Sequence, residues 1–287
     1  MIVLGTAQDG GVPQIGCGCE NCRRARAAAG HTRLAASLAA VCGPGDVPHA
    51  VLVDAGPDLR RQWDRWLAPG TALGAALVTH LHMGHIAGLL ELGPEVMAAS
   101  AAPVYCSRAV ARFLRSNGPW SLLVRRGHID LREFLPGETV HPAPGLTAQT
   151  FEVPHRNEFG DTVGFRLSSE ETGLSLLYIP DADRWEGIRP GLVELVRASD
   201  AALLDGTFFD RSELLDRRGR DASEVPHPPI RDTLDLLGPL AAKVFFTHLN
   251  HTNPVLDGSS PQARAVLATG ARIAADGMRI QLGPVPA

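Results

Sequence analysis

The feature that most constrains this chain is Thr79-His80-Leu81-His82-Met83-Gly84-His85, which sets three histidines within six residues directly after the apolar run Ala75-Ala76-Leu77-Val78. A short apolar run of this kind reads as a buried strand. The following Gly84-His85-Ile86-Ala87-Gly88-Leu89-Leu90 reads as the start of a helix. The histidines therefore fall at the carboxyl end of a strand, where α/β sheets place their chemistry. His80 and His82 can converge on one point from a loop, and His85 can approach it from the first helical turn. Neutral imidazoles at such a point suit zinc and other first-row metals.

The same pattern recurs along the chain. Apolar strands read at Leu146–Val153, Leu174–Ile179, Ala201–Leu204 and Val244–Thr247 run into His155, Asp181, Asp205 and His248. Together with His80, that makes five strand ends carrying a metal-capable side chain, which predicts one sheet edge lined with ligands. Other strands read at Ile2–Leu4, at Pro103–Cys106, and as a pair at Leu34–Val41 and Ala50–Val53 joined by the turn Gly43-Pro44-Gly45-Asp46. Thr162–Leu167 pairs with Leu174–Ile179 as a hairpin. Helices are expected from Gly56-Pro57 through Trp66, over Arg108–Arg115 behind an N-cap at Ser107, and at Pro261–Ala268, the last closing the fold. Asp54, at the end of its strand, reads equally as a helix cap or as a support for the site.

The cysteines carry a second signal. Cys17-Gly18-Cys19-Glu20-Asn21-Cys22 places three thiols within six residues. The chain opens without a basic region and long apolar stretch, and no run approaches the ~20 apolar residues of a membrane span, so a soluble, cytoplasmic protein is expected. In a reducing compartment such a cluster favours zinc over a disulfide, and zinc needs a fourth ligand from elsewhere. Cys42 and Cys106 read as small core residues. The loop Gly5–Gly11 matches neither G-x-G-x-x-G nor the Walker pattern, so it reads as a turn that lets the backbone approach the site. A length of 287 residues with 45% hydrophobic content suits one large domain or two small ones, and a single domain over 1–287 is expected. The net charge of -4 offers no basic field for nucleic acid, which leaves a small-molecule substrate and no membrane or nucleic-acid partner.

The H-x-H-x-G-H motif resembles the H-x-H-x-D-H hallmark of the metallo-β-lactamase superfamily, and the similarity runs from Gly5 to Pro254. The resemblance implies an α/β fold, an αββα sandwich of two central mixed sheets with helices outside and metals at one end. It implies a first metal site of His80, His82 and His155, with Asp181 as a bridge. His85 and His248 would belong to a second site, and Asp54 would support the centre. A narrower resemblance, carried by Gly5-Thr6-Ala7, the C-x-C-x-x-C cluster, Asp205-Gly206-Thr207 and His248-Leu249-Asn250-His251-Thr252-Asn253-Pro254, is to pyrroloquinoline quinone biosynthesis protein B and its relatives. That group usually lacks part of the histidine set kept here. The cysteine cluster is also similar to that of the cyclic phosphodiesterase of phosphonate breakdown. This likeness implies a structural zinc on Cys17, Cys19, Cys22 and His251, and a role for His227 beside the reacting group. Related proteins often form homodimers.

These readings predict a metal-dependent hydrolase that uses a metal-bound hydroxide on a small ester, lactone or phosphodiester. Asp181 would orient the nucleophile and accept its proton, and His227 would protonate the leaving group. No G-x-S-x-G elbow competes with this reading. The alternatives are a non-haem metal oxygenase or hydroxylase, or a small-molecule carrier, related to quinone cofactor synthesis. Zinc is expected at the structural site and at one or two active-site positions, with iron or manganese as alternatives there. Gly84 stands where the superfamily has an aspartate that binds the second metal. The expectation is a tightly held first metal and a weak or empty second site, with Asp183 or Asp205 as compensating ligands and with space beside the glycine for substrate or water. Trp120, Arg125, Arg126 and His128 fall where the superfamily varies its substrate loops.

Overall fold

The central strands are buried along nearly their whole length, and their alternate side chains join different cores, which sorts this chain into layers. The computed structural model describes residues 1–42, 47–215 and 226–282; the turn expected at 43–46 lies outside them. The first sheet contains β1 (Ile2–Gly5), β2 (Ser37–Cys42), β3 (His49–Val53), β4 (Ala72–Leu77), β5 (Ala102–Ser107) and β6 (Ile129–Phe134), side by side in that order. The second contains β7 (Thr139–Ala143), β8 (Leu146–Glu152), β9 (Val163–Ser169), β10 (Ser175–Ile179), β11 (Ala201–Asp205), β12 (Val244–Thr247) and β13 (Arg272–Ile273), again in sequence order. Both sheets are mixed: β1–β2–β3 and β7–β8–β9–β10 pair antiparallel, and the rest pair parallel.

Alternate side chains point to opposite faces. Val3, Val51, Val53 and Leu77 meet Phe165, Leu176, Tyr178 and Leu203 in a core between the sheets. Their neighbours Leu4, Leu52 and Ala76 face outward onto Leu59, Leu89, Val110 and Leu114. On the other side, Leu177, Ile179, Leu204 and Phe246 face Leu192, Val196, Ile230, Leu237 and Val266. The result is helix, sheet, sheet, helix, as expected. Cys106 is fully buried in the first-sheet core, and Cys42 packs at the edge of the core between the sheets.

The helices Leu59–Trp66, Arg108–Ser116 and Pro261–Ala268 match the expected ones. Ser107 caps the second by accepting from the Val110 amide. The Pro261 helix does not close the fold, because β13 follows it and adds an edge to the second sheet. The helix after the histidine motif is a single turn, Met83–Ile86, continued as a 3-10 helix over Ala87–Leu92. Among the described residues no helix is long and apolar enough to cross a membrane.

Candidate metal centres

The carboxyl ends of β4, β8, β10, β11 and β12 open onto one end of the sandwich. His80, His155, Asp181, Asp205 and His248 lie there, all at most 6% exposed. Donor atoms of His80, His82, His155 and Asp181 lie within 4.8 Å of one another, as do those of Asp181, Asp205, His227 and His248. Asp181 belongs to both groups. Its Oδ2 lies 3.4 Å from His80 Nε2, 3.2 Å from His155 Nε2, 3.9 Å from His82 Nδ1 and 3.7 Å from His248 Nε2. A tetrahedral zinc with Zn–N bonds near 2.0–2.1 Å has ligand-to-ligand edges of roughly 3.3 Å. The 3.1 Å between His155 Nε2 and His82 Nδ1 and the spacings to Asp181 are of that size.

A second layer of groups fixes which nitrogen faces inward. His85 Nδ1 donates to Asp54 Oδ2 at 2.7 Å, and His155 Nδ1 donates to Asp183 Oδ1 at 2.8 Å. His227 Nδ1 donates to Asp205 Oδ2 at 2.8 Å. The Thr79 hydroxyl donates to Asp54, so it accepts from His80 Nδ1 at 2.9 Å. The Thr207 hydroxyl donates to the His248 carbonyl and accepts from His248 Nδ1, both at 3.1 Å. Such partners set the tautomer and leave the other ring nitrogen to bind a metal. The Nε2 atoms of His80, His85, His227 and His248, and Asp181 Oδ1, are buried with no hydrogen-bond partner among the described residues. Polar atoms without partners are costly to bury, and a cation at this point would satisfy them together. His82 is reversed: its Nε2 meets Glu158 Oε2 at 3.2 Å and its Nδ1 faces the others. Asp54 and His248 hold left-handed backbones, φ 63° and 57°, a strain that clusters at functional sites.

The charge balance agrees. Burial holds His80 well below the ordinary imidazole value and lowers His248. Both rings are therefore neutral at pH 7, the form that can bind a metal. Burial works against a charge on His85, but the Asp54 carboxylate outweighs it and pushes the ring up to about 9. His227 is likewise pushed up to about 9, where Asp205 overcomes burial. Burial opposes ionisation of Asp181, yet the surrounding histidines hold its carboxyl well below the usual range. Carboxylates that draw protons onto these rings would draw a cation equally.

The cysteines form a separate centre. Cys17, Cys19 and Cys22 place their Sγ atoms 3.4, 3.4 and 3.6 Å from His251 Nδ1. For Zn–S of 2.3 Å and Zn–N of 2.0–2.1 Å the tetrahedral edge is roughly 3.5 Å. A fourth donor for the cysteines is thus in place on the loop after β12.

Several expectations change. Asp183 and Asp205, the residues expected to compensate for Gly84, are already hydrogen-bonded, and an Asp205 oxygen also groups with donor atoms of Asp181, His227 and His248. Asp183 Oδ1 is engaged by His155, and Asp205 accepts from His227, the Ala182 amide and the Thr207 amide. The space beside Gly84 is not left to substrate or water either. Asp9, from the glycine-rich loop, lies there with Oδ1 3.9 Å from His85 Nε2, and its donor atom groups with those of His85 and His248. Asp9, Thr79, Thr207 and Glu158 were not read as site residues. A usable signal for Asp9 was an acid in a tight loop after a strand of the same sheet. Of the segment expected to hold substrate, Trp120 donates to the Ile86 carbonyl, His128 pairs with the Ala99 carbonyl, and Arg125 and Arg126 are exposed.

Residues 49–249 match the Beta-lactamase superfamily domain. Coenzyme PQQ synthesis protein B of Methylococcus capsulatus is 30% identical, covering 98% of this chain and 99% of its own. Its counterpart in Cupriavidus taiwanensis is 32% identical, covering 98% of each chain. The crystal structure of Zn(2+)-bound PqqB from Methylobacterium extorquens is similar with a TM-score of 0.81 and 25% identity, covering 98% of this chain and 99% of that one. A diphosphatase from the PhnP family shares the fold with a TM-score of 0.68 and 24% identity, covering 96% and 94%. By a match over most of its length and by relatives aligned over nearly all of theirs, this chain belongs to the beta-lactamase superfamily and, within it, to the family of coenzyme PQQ synthesis protein B.

Proposed function

We propose that the chain is a metal-dependent hydrolase acting on a small ester, lactone or phosphodiester at the end of the sandwich. The observation that carries this is the set of buried, unpartnered Nε2 atoms and Asp181 Oδ1, all aimed at one region by partners on their Nδ1 sides. Bound divalent metals would supply Lewis acidity and a water whose pKa falls from 15.7 toward about 7. His80, His82 and His155 would hold the first ion, and Asp181 would bridge to a second held by His85 and His248. Asp181 Oδ1 would accept the nucleophile's proton. His227 keeps Nδ1 on Asp205, so its free Nε2 is the atom that would deliver a proton to the leaving group. Pushed up to about 9, the ring is an imidazolium at neutral pH. Neighbouring cations would lower that value toward neutrality, where a general acid works best.

The names of the curated relatives favour a role in the synthesis of coenzyme PQQ, and the second reading is an oxidative or carrier step there. Metal analysis of protein made without added metal, followed by assays with bis-aryl phosphate, aryl ester and lactone probes, separates the two. Turnover of one probe that disappears on chelation supports the hydrolase. Iron at the centre, dioxygen consumption and inertness to all three probes would overturn it.

A further inference from the structure

Deepening that hydrolase reading, on which it rests, we infer that Asp9 is the carboxylate ligand of the second active-site metal, delivered from the loop after β1 in place of a side chain at residue 84. The aspartate and the glycine are two halves of one exchange. A Cβ built on Gly84 would overlap Asp9 Oδ1, and it would lie 2.5 Å from Asp9 Cγ and 2.9 Å from Asp9 Cα. Any side chain at residue 84 and the observed Asp9 therefore exclude one another.

Backbone hydrogen bonds fix the turn that carries Asp9. The Gly11 amide donates to the Gln8 carbonyl at 2.8 Å and closes a turn around Asp9, with Gly11 in the left-handed region at φ 64°. Gln8 donates to the Leu249 carbonyl, and Leu249 donates back to Thr6. Leu249 follows His248 directly, so the turn carrying Asp9 is tied to the strand end carrying a ligand. Asp9 Oδ1 stands 3.9 Å from His85 Nε2, and the donors of Asp9, His85 and His248 lie within 4.8 Å of one another. His85 Nε2 and His248 Nε2 are buried without hydrogen-bond partners among the described residues. With Asp181 the set becomes two imidazoles and two carboxylates, a donor set suited to zinc or manganese.

The test is metal stoichiometry. Protein loaded with Zn(II) or with Mn(II) and dialysed against a mild chelator is counted for metal, and its melting temperature is recorded. In the Zn(II)-loaded protein the expected count is three per chain for the native protein, two at the histidine centre and one at the cysteines, and two per chain for Asp9→Asn. Titration of the metal-free variant should show second-site affinity weakened by at least about 100-fold, since losing a ligand costs more than losing a residue that only supports one. Gly84→Ala keeps every ligand but sets a methyl group against the Asp9 carboxylate, and it should lose the same metal while still melting in a single cooperative transition. Three metals in both the native protein and Asp9→Asn would overturn the inference and leave the hydrolase reading standing. A native protein with one metal at the histidine centre would also overturn the inference alone. A native protein with none there would remove both.

Discussion

At the cysteine cluster, three thiols and one imidazole face a single point, while five strand ends at the other centre surround a shared carboxylate. The two lie close in sequence, since His251 follows His248 by three residues, yet their surroundings differ. Backbone amides brace the thiols: Gln14 N–H donates to Cys22 Sγ at 3.3 Å and Cys19 N–H donates to Cys17 Sγ at 3.4 Å. Carboxylates and hydroxyls brace the imidazoles, each fixing one ring nitrogen. Four donors close a tetrahedral zinc, which is the structural pattern. The histidine centre instead has a carboxylate shared by two groups of donors, one of its oxygens without a hydrogen-bond partner among the described residues, and a histidine pushed up to about 9. On the proposed function, one centre would hold an ion and the other would use it.

The largest expected effect on chemistry comes from His82→Ala, which removes an inward-facing Nδ1 from the first site. Turnover should fall to background and active-site metal should be lost, while the metal on the cysteines remains. Persistent turnover with a full metal count would show that His82 belongs to the protein surface. His227→Ala comes next. It should keep all metals and slow the reaction by about 10²–10⁴-fold, the range for a general acid. The loss should shrink for substrates with good leaving groups; an equal loss for good and poor leaving groups would make His227 a structural partner of Asp205. Asp183→Asn removes only the charge behind His155 Nδ1. Supporting residues of this kind cost about 10–100-fold in metal affinity, so the first-site Kd should rise by that factor with kcat of the loaded enzyme little changed. An unaltered Kd would assign the orientation of His155 to its packing alone.

What the sequence disclosed follows the same division. The strand ends were legible because each ligand follows an apolar run, and β4, β8, β10, β11 and β12 lie where those runs do. The pairing of Cys17, Cys19 and Cys22 with His251 spans more than 200 residues and was reachable only through family resemblance. Asp9 carries only a weak local signal, an acid in a tight loop after a strand, because the Gly84 gap and the His85 ring it faces come from other elements. Thr79 and Thr207 were hidden for a simpler reason. A hydroxyl beside a histidine has no signature until the fold shows which nitrogen it meets. Gly84–Leu90 reads as the start of a helix because nothing in its apolar spacing distinguishes the α-turn Met83–Ile86 from the 3-10 turns that follow.

The smallest expected effect on chemistry is that of Cys19→Ser, where the comparison is sharpest. The variant should release about one metal per chain. Binding contributes roughly 4 kcal/mol to stability when free ligand exceeds Kd a thousandfold. Each kcal/mol shifts Tm by roughly 2–4 °C in chains of 150–250 residues, so Tm should drop by roughly 8–16 °C. Turnover measured well below that transition should change by less than about tenfold. The loop bearing His248 has anchors of its own: Asn253 Nδ2 donates to the Gly206 and Thr207 carbonyls at 2.8 and 3.1 Å, and Leu249 donates to Thr6. Those bonds do not pass through the thiols. Calorimetry, metal counting and an assay on one preparation decide it. An unchanged Tm with a full metal count would remove the ion from the cysteines. A loss of turnover as large as that of His82→Ala, at native-like folding, would mean that the cysteine centre positions His248 and that the two centres work as one.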